Sequence, residues 1–236
     1  VRYAEKRERK LLPHVDLAIS PSLGYRDELI RRGLPFTKSV VVVNCRDPVV
    51  PYKPLSGTRS LCYLGTLHPS RFIYQMVEAM DQLDATLTIT GPRTSGGLYD
   101  WLKEKHGCGP EGFYGDEKVM FMGDVKLETV QHLLSDSDIS ILMADPKITL
   151  HRHALANRLF DAMAMGRPAI GTIGTATGEL LSAVKMGITS IYERDAYVTA
   201  VNTLLDLGKN ELQRLGSNAY EACTKTFNWQ SESKKF

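Results

Sequence analysis

No run of about 18 consecutive apolar residues occurs in this 236-residue chain, so no segment reads as a membrane-spanning helix. The four cysteines, Cys45, Cys62, Cys108 and Cys223, are scattered, with no C-x-x-C pair and no histidines at finger spacing. That pattern excludes a zinc framework and a disulfide scaffold, and fits a reducing compartment. No G-x-G-x-x-G follows an apolar run and no G-x-x-x-x-G-K-[ST] occurs, which removes the dinucleotide-dehydrogenase and P-loop phosphate cradles. Charge of one sign is also lacking. With 29 basic and 27 acidic side chains the formal charge is +2, too small for bulk attraction to nucleic acid or an anionic membrane. Repeats and low-complexity tracts are absent.

What the sequence does contain is alternation. Short apolar runs at 15–20, 39–45, 59–65, 85–91, 118–123, 138–144, 167–172 and 187–192 are bounded by Gly, Pro, Asp or Asn and read as strands. They are nearly continuous rather than alternating, as expected of parallel strands covered on both faces. Between them lie amphipathic helical patterns at 73–83, 127–137, 154–166, 176–187 and 196–207. The first places Ile73, Met76, Val77, Met80 and Leu83 on one stripe. Two of these patterns close on a glycine, Gly166 and Gly187, as helices often do. Strand–helix alternation with right-handed crossovers predicts an α/β fold with a Rossmann-like, doubly wound parallel sheet.

Two joints interrupt the pattern. DPVVPYKPLSG (47–57) holds three prolines and reads as an interdomain linker. The Gly- and Pro-rich stretch 91–117, with a short helix inside, reads as an excursion at the sheet edge. Val1 opens directly into the charged segment RYAEKRERKLL, without an initiator Met or a leader pattern, so the chain is expected to begin partway through a longer product.

In doubly wound sheets ligands bind beyond the carboxyl ends of the strands, where the strand order reverses. After the run at 59–65 comes GTLHPSRF, a glycine turn with Thr66, Ser70 and Arg71 leading into a helix. Backbone N–H groups there can face an anion, the helix N-terminus adds positive potential, and Arg71 offers a planar fork to a diphosphate. The densest constellation is HRHALANRLFDAMAMGRPAI (151–170). Asn157 and Asp161 are four apart and share a helix face, as do Arg158 and Ala162, while Leu155, Leu159 and Met163 form the opposite side. A carboxylate facing a cleft can accept hydrogen bonds from vicinal ribose hydroxyls. On spacing alone, Asp161 and Arg158 read equally well as solvated charges.

This segment resembles the group 1 glycosyltransferases of the GT-B class, whose donor domain carries N-[KR]-[LI]-F-[ED]-x-M-x-x-G-x-P-[VA]-I, matched from Asn157 to Ile170. YLGTLHPSR is similar to the family's glycine turn with a basic residue six positions on. ATLTITGP, KVMFMGDV and SDSDISIL are similar to its strands, and FNWQSESKKF to its closing helix. The stretch from His14 to Asp47 looks like the end of the acceptor-side domain. The resemblance implies residues 1–50 as the remnant of that domain and the linker, 51–220 as a nucleotide-sugar donor domain, and 221–236 as a helix crossing back.

The resemblance further implies that Asp161 holds the ribose hydroxyls, and that Arg71, with backbone around Gly65 and Thr66, holds the diphosphate. Gly123 and Val125 face the base, Gly91 and Pro92 line its pocket, and Asn157 and Arg158 complete the donor site. Two positions depart from the family. His153 stands where the first acid of an E-x7-E pair is common, and Thr66 where an Arg usually follows the glycine turn. His151 and His153 are expected to compensate by donating to sugar hydroxyls or phosphate, with Arg71 and His153 as the catalytic pair. No cofactor is implied beyond the nucleotide-sugar substrate. The one D-x-D, Asp136 to Asp138, precedes a strand rather than following it, so no metal is expected to be required.

The implied function is transfer of a sugar from a nucleoside-diphosphate sugar to an acceptor hydroxyl of a glycan or glycoconjugate, with retention. A sugar-nucleotide epimerase and a non-catalytic nucleotide-binding module are the alternatives. The acceptor domain, about another 120–150 residues, would be supplied in cis or in trans, and the chain alone is expected to bind donor with little or no transfer. Cytoplasmic location is expected, with any peripheral membrane association made through the missing part and no nucleic-acid partner.

Overall fold

The computed structural model describes residues 2–34, 38–47, 51–92, 97–106, 114–115 and 117–235; Cys108 lies outside them. A small parallel sheet pairs β1 (Ala18–Ser20) with β2 (Ser39–Val41). The larger sheet contains β3 (Ser60–Leu64), β4 (Thr86–Thr90), β5 (Tyr114–Gly115), β6 (Val119–Phe121), β7 (Ile139–Ile141), β8 (Ala169–Thr172) and β9 (Gly187–Ser190). Its order is β5-β6-β4-β3-β7-β8-β9, with six parallel strands and β5 antiparallel at one edge. All eight strands expected from the sequence are present, most of them shorter than their apolar runs. β5 was not expected, because it lies in the Gly- and Pro-rich stretch where no alternating pattern announces it.

The sheet is doubly wound because each strand has two apolar faces. Along β3, Leu61 and Tyr63 enter one buried cluster with Leu87, Ile89 and Phe121, while Cys62 and Leu64 enter the other with Leu159, Phe160 and Met163. The first cluster is closed by helices Ile73–Ala79 and Arg194–Asp206, and the second by Asn157–Ala164 and Gly208–Lys225. Each fully buried Leu, Ile or Phe contributes about 1.5–3 kcal/mol. The chain leaves β3 outward through β4 to β6, then returns to place β7 on the other side of β3. The strand order therefore reverses between β3 and β7, where Leu61 pairs with Ile139.

Three helix boundaries differ from the sequence pattern. The helix expected over 154–166 begins only at Asn157 and ends at Ala164, and a separate short helix, Thr149–His153, precedes it. Ala154 and Ala156 are extended, and the Ala156 N–H donates to Thr177 Oγ1 at 3.0 Å rather than to a carbonyl one turn back. Helix Ala176–Val184 ends on Lys185, which is itself left-handed at φ 58°, and Gly187 instead begins β9. Helix Gly208–Lys225 continues almost directly from Arg194–Asp206, with only Leu207 between them.

Residues 51–57 are fastened to the larger sheet. Buried Arg167 donates to the carbonyls of Lys53, Ser137 and Met165. Asp138 accepts from Ser56 Oγ at 3.0 Å and the Gly57 N–H at 2.9 Å. Burial pushes the Asp138 pKa up, but its bonds to Gly57, Ser60 and Ser56 outweigh this and hold it below the ordinary range. At the other end of the chain, Trp229 N–H donates to Asp47 Oδ1 at 2.8 Å and Glu232 Oε2 accepts from Val43 N–H at 2.8 Å. Among the described residues, no helix is long and apolar enough to cross a membrane.

Candidate functional site at the strand reversal

A cavity of about 440 Å³ opens at the carboxyl ends of β3, β4 and β7. It sits where strand order reverses, the crevice in which doubly wound sheets bind ligands. Its rim is a lattice of loop-to-loop bonds. Gly65 N–H donates to the Thr90 carbonyl at 2.9 Å, and Gly91 N–H and Thr90 Oγ1 both donate to the Gly123 carbonyl at 2.8 and 2.6 Å. The first two loops meet so closely that a Cβ on Gly91, at φ 152°, would stand 1.9 Å from the Gly65 oxygen. Only glycine fits there.

Arginine forms the floor. Arg158 is buried, donating to the Ile141 carbonyl at 3.3 Å and the Met143 carbonyl at 2.9 Å. Its guanidinium carbon lies 4.7 Å from the Tyr63 ring centroid, and the Tyr63 hydroxyl donates to the Thr66 carbonyl at 2.8 Å. Arg158 is thus neither of the roles its spacing allowed: it is not a solvated charge, and its donors are largely spent on the ends of β7. It contributes positive potential more than free hydrogen bonds.

Arg71 also lines the cavity, but not as the sequence suggested. The glycine turn does not open straight into a helix. A short 3-10 segment, Pro69–Arg71, intervenes, followed by Phe72 in the left-handed region at φ 66°. The helix that follows, Ile73–Ala79, begins beyond it, and the Phe72 N–H is taken by the Tyr192 hydroxyl at 3.1 Å. The helix whose first turn does meet the cavity is Asn157–Ala164, which has no side-chain cap, and both Ala156 and Asn157 line the wall. An uncapped first turn leaves N–H donors for an anion.

His151 is buried, with Nδ1 3.0 Å from the Asp145 carbonyl. The Asp145 N–H in turn donates to the Ser70 carbonyl at 2.9 Å, which ties the Arg71 turn to the His151 helix. Burial, then the positive charge of Arg71, lowers the His151 pKa. Asp161 also lines the cavity; burial raises its pKa, against the pull of Arg46, whose Nε lies 3.1 Å from Oδ1.

Of the residues expected at a donor site, Gly65, Thr66, Arg71, Gly91, Pro92, Val125, His151, Asn157, Arg158 and Asp161 line this one cavity. Gly123 stands behind it, receiving the bonds of Thr90 and Gly91. His153 is not brought in. Its carbonyl accepts from Ser22 Oγ and its Nε2 lies 3.9 Å from Glu28 Oε2, so it faces helix Leu23–Arg31 instead. The cause is helical geometry: His151 and His153, two apart, fall on different sides of a short helix. Thr175, Thr177 and Asp124 also line the cavity and carried no sequence signal. The D-x-D lies before β7, at the opposite end of the strand, with Asp136 paired to Lys53 and Asp138 bound to the 56–60 turn.

The strand order and the crevice at its reversal define the class, a doubly wound α/β fold shared with GT-B glycosyltransferases. The model of the family described as Glycosyl transferases group 1 matches residues 58–207, and the chain belongs to that family. Among solved structures, HepE from Anabaena in complex with UDP and glucose superposes with a TM-score of 0.78 at 15% identity, covering 98% of this chain and 64% of that one. Sucrose-phosphate synthase from Thermosynechococcus elongatus gives 0.75 at 17%, covering 99% and 60%. A TarM variant from S. aureus, in complex with fondaparinux, alpha-GlcNAc-glycerol and UDP, gives 0.76 at 14%, covering 99% and 45%. The chain thus spans between about half and two thirds of the length of these proteins. No curated protein matches it in sequence.

Proposed function

We propose that the cavity is the donor site of a glycosyltransferase and holds a nucleoside-diphosphate sugar. The observation that carries this reading is the convergence of Asp161, Arg71 and an uncapped helix start on one crevice at the strand reversal. Asp161 accepts from the ribose hydroxyls. Arg71, the backbone around Gly65 and Thr66, and the first turn at Asn157 hold the diphosphate, while Pro92 and Val125 border the base. HepE, crystallised with UDP and glucose, and TarM, crystallised with UDP, support a uridine nucleotide as the first to try.

Glycosyl transfer breaks the bond between the anomeric carbon and the diphosphate through an oxocarbenium-like transition state, so negative charge grows on the leaving group. On this reading Arg71 stabilises that charge, and the buried Arg158 on the same cavity wall adds positive potential. No residue of the proposed route requires a metal. Retention, a hexosyl donor, and an acceptor hydroxyl on a glycan or glycoconjugate complete the proposal, with that acceptor held by a part of the enzyme that this chain does not supply.

The test is calorimetric titration of the chain with uridine and guanosine diphosphates, beside Asp161→Ala. Loss of one or two hydrogen bonds to ribose weakens binding by about 1–3 kcal/mol. No binding of either nucleotide by folded protein contradicts the donor reading, and an unchanged affinity in the variant removes Asp161 from it.

A further inference from the structure

The polar face of helix Asn157–Ala164 is not left to the cavity alone. Asn44 Nδ2 donates to Asn157 Oδ1 at 3.1 Å, and Arg46 Nε lies 3.1 Å from Asp161 Oδ1. Both partners come from the stretch just after β2, outside the donor sheet. A three-residue turn forms there, with the Cys45 N–H bonded to the Val43 carbonyl at 2.8 Å. The end of the chain fixes the same stretch: Glu232 binds the Val43 N–H, Cys223 Sγ lies 3.4 Å from the Arg46 carbonyl, and Asp47 accepts from the Trp229 N–H. Arg46 is therefore aimed, although its side chain is 39% exposed.

Asp161 lines the cavity and Arg46 does not. The guanidinium thus approaches the carboxylate from outside the ligand space and engages Oδ1, and no described residue pairs with Oδ2. We propose that Arg46 is a positioning residue for the donor site, reaching across the strand-to-helix boundary to hold the Asp161 carboxylate so that its other oxygen meets the ribose. The inference rests on the reading of Asp161 as the ribose acceptor.

Burial opposes charge on Asp161, and Arg46 is the one charge that counters it. The other ionisable groups on the cavity wall point elsewhere in effect. Arg158 is spent on β7 carbonyls and the Tyr63 ring, Arg71 acts on His151, and Asp124 stands on the loop after β6. Removing Arg46 raises the Asp161 pKa further, so the carboxyl takes up a proton at a pH where the native protein keeps it ionised. A protonated carboxyl loses the charge-assisted bonds to ribose.

The experiment compares wild type with Arg46→Met and Arg46→Lys, titrating whichever of uridine or guanosine diphosphate the native chain binds, at about pH 8 and about pH 5.5. Near pH 8, Arg46→Met is expected to bind about threefold more weakly than wild type, because the carboxylate is no longer held toward the ribose. Near pH 5.5 it binds about tenfold more weakly, and Arg46→Lys recovers most of that loss. With the 2′,3′-dideoxynucleoside diphosphate the difference between the variants vanishes. Affinity equal to wild type at both pH values overturns the role of Arg46 while leaving the donor site standing, as does a loss that persists with the dideoxy nucleotide or that Arg46→Lys does not recover. Failure of wild type to bind either nucleotide overturns the donor reading and this inference with it.

Discussion

Arg158 lies with its guanidinium carbon 4.7 Å from the Tyr63 ring centroid, while its two terminal nitrogens cap the carbonyls of Ile141 and Met143. Those carbonyls sit at and just past the end of β7, where the strand can no longer bond its neighbour in full. The arginine completes the sheet edge and floors the cavity with positive potential in one placement.

Arg158→Met is therefore expected to destabilise the fold by about 2–4 kcal/mol, since it removes two buried hydrogen bonds from a charged donor and strips the ring of its cation. Urea unfolding followed by circular dichroism measures it. Arg158→Lys should fall between, because a single ammonium cannot span both carbonyls in the fork geometry. A loss under about 0.5 kcal/mol, the scale of a surface substitution, contradicts the assignment.

His151 gives a pH signature. Its folded pKa is lowered, chiefly by burial and then by Arg71. A histidine whose folded pKa lies below its unfolded value of about 6.5 contributes stability that is present above that value and lost as pH falls through it. His151→Gln should remove that part of the acid sensitivity just below about pH 6.5. A bound diphosphate reverses the electrostatics, raising the His151 pKa, so nucleotide binding near pH 6.5 takes up protons. Calorimetry in two buffers of different ionisation enthalpy reads the uptake, which should be absent in His151→Gln.

Tyr192 holds the Arg71 turn. Its hydroxyl accepts from the N–H of Phe72, a buried non-glycine residue kept at φ 66°, and burial pushes the Tyr192 pKa up to about 12. A left-handed non-glycine residue costs about 1–2 kcal/mol and persists only where its surroundings hold it. Tyr192→Phe is expected to destabilise the protein by about 1–2 kcal/mol and to weaken nucleoside diphosphate binding more than nucleoside binding. An equal effect on both ligands breaks the link between Tyr192 and Arg71.

The fold was largely legible because its determinants are local. Runs such as SLCYL and TLTIT are apolar on both faces, and only a covered parallel sheet buries both. The Asn157-to-Ile170 segment stood out through its resemblance to the group 1 signature, since spacing alone left Asp161 and Arg158 reading equally well as solvated charges; the structure places both on the cavity wall. What the sequence hid depends on distant partners. The break before Asn157 comes from Thr177, and the turning away of His153 from Ser22 and Glu28. Arg46 reaches Asp161 across 115 positions of sequence, with no periodicity to signal it. β5 is two residues long, too short to carry a pattern.

The central claim is that a nucleoside diphosphate occupies the crevice between β3, β4 and β7, and amide chemical shifts of the isotopically labelled chain during titration with uridine or guanosine diphosphate test it most directly. The account predicts saturable shifts concentrated at Gly65, Thr66, Arg71, Gly91, Val125, Asn157 and Asp161, with Lys185 and Asn218 on the far face unmoved. Shifts centred elsewhere, or none from either nucleotide in a folded chain, contradict it.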